Sequence, residues 1–148
     1  METKAFVECQ MLIRKPIEDV FDAFIKPEIT THFWFTKSSG KLEAGKTIIW
    51  TWEMYDVSSE VQVLEIVPSR IIKTKWGSPK TNVDYEFKEM QDGTLVTIKS
   101  YGYSQEGEDL LRVINDNTGG FTTVLDSCKA WLEHGINLNL IQDKFPKE

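Results

Sequence analysis

The sequence predicts an α+β fold: a curved antiparallel β-sheet of about six or seven strands wrapped around one long C-terminal α-helix, with two short helices after the first strand. Three observations carry that prediction. Near the C-terminus, Phe121, Val124, Leu125, Cys128, Trp131 and Leu132 recur at the i, i+3, i+4, i+7 spacing of an amphipathic helix, with Asp126, Lys129 and Glu133 between them. From Lys37 to Tyr103 the chain alternates apolar and polar residues in short runs, broken by turn signals at roughly 10–14-residue intervals, as an antiparallel meander does. A sheet with an aromatic face has to bury it, and the final helix is the available partner.

Each element has its own warrant. Val7, Cys9, Met11 and Ile13 alternate with Glu8 and Gln10, which makes residues 6–13 a half-buried strand. Pro16 then opens a helix whose apolar side is Ile17, Val20, Phe21 and Phe24, with Glu18 and Asp19 at its positive end. Pro27 stops that helix, and a second short helical piece carries Ile29, Phe33 and Trp34. Residues 47–54 place Ile48, Trp50, Trp52 and Met54 on one strand face and Thr47, Ile49, Thr51 and Glu53 on the other. Residues 56–59 read as a turn, 61–67 and 71–76 as strands. Val83, Tyr85 and Phe87 alternate with Asp84, Glu86 and Lys88, whose charges mark an outer, solvated face. Gln91, Asp92 and Gly93 close a hairpin onto a last strand over 95–103. Residues 106–117 read as a loop or short helix, and Gly119-Gly120 as a break ahead of the long helix. Gly135 ends that helix, next to His134 at its negative end.

Composition excludes several classes of function. The 148 residues carry a net charge of −6 with no basic run, which argues against a nucleic-acid partner. No stretch approaches a membrane span, and the first residues lack the apolar core of a signal peptide, so the expectation is one cytoplasmic domain over residues 1–148. Cys9 and Cys128 each fall inside an apolar pattern and read as buried free thiols. With His32 and His134 the only histidines, and no Cys-x-x-Cys or His-x-x-x-His, neither a metal site nor a bound cofactor is expected, and no catalytic residues are assigned. His32 reads as the end of a short surface helix. The pair Gly119-Gly120 has no Lys-Ser/Thr after it and makes no phosphate loop.

Four stretches carry a resemblance to a known family: Lys15-Pro16-Ile17-Glu18-Asp19-Val20-Phe21-Asp22-Ala23-Phe24 followed by Pro27-Glu28 and Phe33-Trp34; Glu65-Ile66-Val67-Pro68-Ser69-Arg70-Ile71-Ile72 running to Trp76; Asp92-Gly93-Thr94-Leu95-Val96-Thr97-Ile98; and Gly119-Gly120-Phe121 with Leu125 and Lys129-Ala130-Trp131-Leu132-Glu133-His134-Gly135. Together with the element order they resemble the Bet v 1-like, START-related superfamily (SRPBCC), and within it the bacterial proteins similar to activator of Hsp90 ATPase homologue 1. Gly-Gly-Phe stands where that family more usually has Gly-Trp. The resemblance implies a helix-grip fold with a hydrophobic cavity between sheet and C-terminal helix. It brings no shared catalytic motif.

Trp50, Trp52, Trp76, Tyr85 and Phe87 could line such a cavity from the sheet, with Trp34 beside them and Phe121, Leu125 and Cys128 from the helix. The same side chains could fill a solid core. Tyr85 has a further claim, because a buried phenol needs a hydrogen-bond partner. The leading expectation is binding of an apolar or aromatic small molecule, lipid-like or polyketide-like. Two alternatives stay open: an Hsp90-activator-like module that binds a chaperone, and a cyclase- or hydrolase-type enzyme using the same cavity. The pattern does not separate monomer from homodimer.

Overall fold

The alternation of apolar residues along seven short segments has one economical outcome, and the computed structural model, which describes residues 4–146, takes it. The elements run β1 (Phe6–Ile13), α1 (Ile17–Ile25), α2 (Pro27–Thr30), β2 (Lys37–Ser38), β3 (Thr47–Trp52), β4 (Val57–Val67), β5 (Ile71–Trp76), β6 (Thr81–Met90), β7 (Gly93–Tyr101), α3 (Gly107–His134) and α4 (Leu140–Lys144). The strands form one curved antiparallel sheet in the order β1-β7-β6-β5-β4-β3-β2. Each strand sends every second side chain inward: Val7 and Cys9, Val96 and Ile98, Val83, Tyr85 and Phe87, Ile72 and Thr74, Val61 and Val63, Ile48 and Trp50 are all buried. Against that face lie α3, through Phe121, Val124, Leu125 and Cys128, and α1, whose Phe21 and Phe24 meet Phe87 edge-on at 5.2 and 5.7 Å.

On the convex face the register sets charges in alternation across five strands: Glu65 opposite Lys73, Lys73 opposite Asp84, Asp84 opposite Lys99, Lys99 opposite Glu8. Opposite charges at directly facing positions favour this register over a slipped one. Asp84 departs from the solvated reading. It is only 8% exposed, because Tyr101 on β7 folds over it and donates its hydroxyl to both carboxylate oxygens at 3.1 and 3.3 Å. Burial raises the Asp84 pKa, against the opposing pull of Tyr101, Lys73 and Lys99.

Three other expectations are corrected. The strand carrying Trp50 and Trp52 ends at Trp52; Glu53–Tyr55 form one 3-10 turn, so Met54 is not on the strand face. Residues 56–59 are not a turn: Asp56 alone turns the chain, in the left-handed conformation at φ 51°, and β4 starts at Val57. The expected break at Gly119-Gly120 is absent, and residues 107–134 form one helix of 28 residues. Two glycines cost about 1 kcal/mol each relative to Ala in a helix. The helix carries that cost because Leu110, Val113 and Ile114 pack on the core in phase with Phe121, Val124 and Leu125.

The C-terminal turns of α3 are pinned to the end of β1. Glu133 accepts hydrogen bonds from the Arg14 backbone N–H at 2.8 Å and from Lys129 at 2.6 Å, and Lys129 also donates to the Leu12 carbonyl at 2.7 Å. Gly135 then ends the helix at φ 65°.

Candidate functional site

Trp52 is the last residue of β3, opposite Val57, and Trp76 is the last residue of β5, opposite Val61 and Thr81. The two rings are nearly parallel, 13° apart in plane and 6.1 Å between centroids. Trp34, delivered by the chain after α2, meets them edge-on at 6.5 and 6.0 Å. These three indoles form the sheet-side wall of a cleft of about 320 Å³. Val57 and Tyr55 extend that wall, the middle of α3 contributes Asn117, Gly120, Phe121, Thr123 and Val124, and Ile141, Lys144 and Phe145 of the C-terminal segment close over it.

The α3 glycines belong to this construction. A Cβ on Gly120 would meet no atom within 4 Å, so its bare backbone leaves open volume in the cleft wall. Beside Gly119 the Lys144 side chain crosses the helix, 3.4 Å from where a Cβ would be. The short α4 is held in place by Tyr55, whose hydroxyl proton is shared between the carbonyls of Ile141 and Gln142 at 2.8 and 3.0 Å. Polar groups in the lining are few. Asn117 donates its amide to the Tyr103 hydroxyl at 2.9 Å, Thr123 donates to the Gly119 carbonyl at 2.8 Å, and Lys144 supplies the only cation among the lining residues.

Of the sequence-derived candidates, Trp34, Trp52, Trp76 and Phe121 line the cleft. Trp50 lies beneath them, stacked on Phe35 at 4.5 Å and 4.8 Å from Trp34. Tyr85, 1% exposed, packs 6.1 Å from Trp34, and Phe87, Leu125 and Cys128 are core residues outside the cleft. Burial pushes the Tyr85 phenol and the Cys128 thiol well above their ordinary ranges, so both stay neutral. Neither is an activated nucleophile or acid. Cys9 is likewise a buried free cysteine. His32 follows α2 and is exposed, its ring stacked on Trp131 at 4.1 Å with 9° between planes. Among the described residues no group of three or more His, Cys, Asp or Glu side chains converges as a metal site would require.

Asn117, Gly120, Tyr55, Val57 and the α4 residues were not candidates from the sequence. One signal was available: Asn117 is a polar residue in phase with the apolar stripe of α3, between Ile114 and Phe121. A larger concavity, about 860 Å³, lies on the convex face between Phe6, Asp84, Tyr101 and residues 102–106. It is open and mixed in character, with Lys4, Asp84, Lys99 and Glu106 in its lining, whereas the smaller cleft is almost wholly apolar and aromatic and is the stronger candidate.

A family model for the Activator of Hsp90 ATPase homolog 1-like protein matches residues 14–133. The chain belongs to that family. Comparison with curated proteins gives no match. Among solved structures, the protein SSP2350 from Staphylococcus saprophyticus is similar at 29% identity and a TM-score of 0.81, covering 90% of this chain and 96% of that one. The Aha1 dimer from Colwellia psychrerythraea is similar at 14% identity and 0.74, covering 88% and 98%. CalU16 from Micromonospora echinospora is similar at 15% identity and 0.69, covering 95% and 89%. The last two likenesses are of fold alone. No helix among the described residues is long and apolar enough to cross a membrane.

Proposed function

We propose that this member of the family binds a flat, apolar small molecule in the cleft between the sheet and α3. The single observation that carries the reading is the pair of near-parallel indoles, Trp52 and Trp76, closed at one side by Trp34 and facing a helix stripped of side chain at Gly120. Binding there would gain roughly 25 cal/mol per Å² of apolar surface buried, with aromatic stacking in addition. Lys144 places one positive charge beside the mouth and would favour a ligand with acidic or acceptor character at that end. The polar lining offers amide, hydroxyl and amine groups but no carboxylate–imidazole pair, so a carrier or sensor fits these residues better than a hydrolase.

The experiment is a thermal-shift and native mass-spectrometry screen of apolar and aromatic compounds on the wild type and on Gly120→Leu. A Leu side chain at 120 would project into open cleft volume. A ligand that stabilises the wild type and leaves Gly120→Leu unchanged supports the reading. Ligands that stabilise both equally place binding elsewhere, and no ligand at all refutes it. A protein-interaction reading draws on the family description and on the exposed Ile136, Leu138 and Phe145 flanking α4. It requires Ile136→Ser/Leu138→Ser to abolish binding to an Hsp90 homologue.

A further inference from the structure

The C-terminal segment that covers the cleft is lightly anchored. After Gly135, at φ 65°, residues 136–139 are exposed and belong to no helix or strand, and Asn139 again takes the left-handed conformation, at φ 57°. The α4 helix that follows has five residues, too few to be stable alone, and none of them is buried; Leu140 and Ile141 are half-buried. One hydroxyl, that of Tyr55 in the turn after β3, ties α4 to the sheet side of the cleft through the carbonyls of Ile141 and Gln142. On the helix side Lys144 lies across the bare backbone of Gly119. Two apolar side chains of the lining stay largely in water: Val57 on the sheet, 51% exposed, and Phe145 on the C-terminal segment, 66% exposed.

We infer that residues 136–145 are the lid of the cleft: the segment pivots at Gly135 and Asn139, is latched by the Tyr55 hydroxyl, and swings aside for the ligand to enter or leave. This rests on the small-molecule reading above and adds how access to that site is controlled. Ile141, Lys144 and Phe145 are the outer wall, so a ligand lying against the three indoles lies beneath them. Weakly packed segments open locally at small free-energy cost, and binding that waits for such an opening is slowed by the fraction of time the lid is open. The two contacts act at different stages. The Tyr55 latch holds the lid down with or without ligand, so its removal speeds entry and exit by the same factor and leaves the affinity unchanged. The Phe145 ring, exposed in this structure, is covered only once a ligand lies against it, so shortening it speeds exit alone.

The test is stopped-flow fluorescence at pH 7 with 8-anilinonaphthalene-1-sulfonate, a flat aromatic probe with an acidic end. In Tyr55→Phe, kon and koff should both rise about three- to tenfold, the worth of one hydrogen bond, with Kd within about twofold of the wild type. In Phe145→Ala, koff should rise about threefold or more at unchanged kon. A faster koff at unchanged kon in Tyr55→Phe would make that hydroxyl part of a fixed wall, and two unchanged rates would make it no latch. Either result overturns the lid and leaves the cleft reading standing, with Gly120→Leu abolishing probe binding. If the probe does not bind the wild type, or binds Gly120→Leu equally well, the cleft reading falls and the lid with it.

Discussion

Replacing Gly120 by alanine should make this protein more stable. The reasoning is local and can be followed atom by atom. Gly120 lies inside the continuous helix α3 and has no positive φ, so alanine adopts its conformation without strain. A Cβ there meets nothing within 4 Å, so no new contact, good or bad, contributes. What is left is the intrinsic preference of alanine over glycine in a helix interior, about 1 kcal/mol. For a chain of 148 residues that corresponds to a rise in Tm of about 2–4 °C. Gly119→Ala should add a similar amount, since its Cβ would touch only the flexible end of Lys144. Gly135→Ala is the opposing control: at φ 65° the new side chain is strained, and about 1 kcal/mol is lost. Thermal and urea unfolding followed at 222 nm would measure all three. A fall in Tm for Gly120→Ala would show that the glycine pair needs a backbone that alanine cannot adopt, and the continuous helix would have to be abandoned.

Glu133→Gln should cost about 1–3 kcal/mol, because it weakens hydrogen bonds from both Arg14 N–H and Lys129 in a largely buried place. Burial raises the Glu133 pKa, but the Arg14 and Lys129 contacts outweigh it and hold the group below its ordinary value of 4.5. The stability it contributes is therefore present above pH 4.5 and lost as pH falls through the depressed value, so the gap in Tm between wild type and variant should be constant above about pH 5 and close in acid. Asp84→Asn has the opposite sign. Burial holds the Asp84 pKa above 3.8, so ionisation costs stability as pH rises through that range, and the amide should be the more stable form at neutral pH. A less stable Asp84→Asn at pH 7 would mean that Lys73 and Lys99 gain more from the carboxylate than burial takes away. Tyr55→Phe should leave the overall Tm within about 1 °C, yet speed amide exchange in residues 141–145 roughly tenfold, since it removes only the tether of α4.

The strands and the C-terminal half of α3 were legible because they follow from one-dimensional periodicity. Tyr85 or Leu125 is buried by its place in a period of 2 or 3.6, whatever else surrounds it. The N-terminal half of α3 is carried by the phase of its apolar residues and not by its composition. Leu110, Val113 and Ile114 keep step with Phe121 across Gly119-Gly120, and a packed stripe overrides a propensity cost of about 1 kcal/mol per glycine. Asp84 shows a different limit. Alternation assigned it to the convex face, but its cover comes from Tyr101 on β7, and which side chain lies beside which depends on register. The cleft was half legible. Its three indoles stand out as large aromatics, whereas the residues that make it a cavity are small, polar or distant: Gly120, Asn117, and Lys144 from a helix of five residues.

The bond from Lys129 to Leu12 and the one from Arg14 to Glu133 have a consequence for how copies of this chain meet. β1 pairs only with β7, so its other side would be an open template for strand addition. The side chains of α3 occupy backbone groups at its C-terminal end, and the opposite margin of the sheet, β2, is two residues long. Neither margin invites a neighbour's strand, and any dimer of the folded protein should form through side-chain surfaces instead of a continuous sheet. Acid that protonates Glu133 loosens the guard on β1, so fibril growth, if it occurs, should begin below the pH at which that carboxylate takes up its proton.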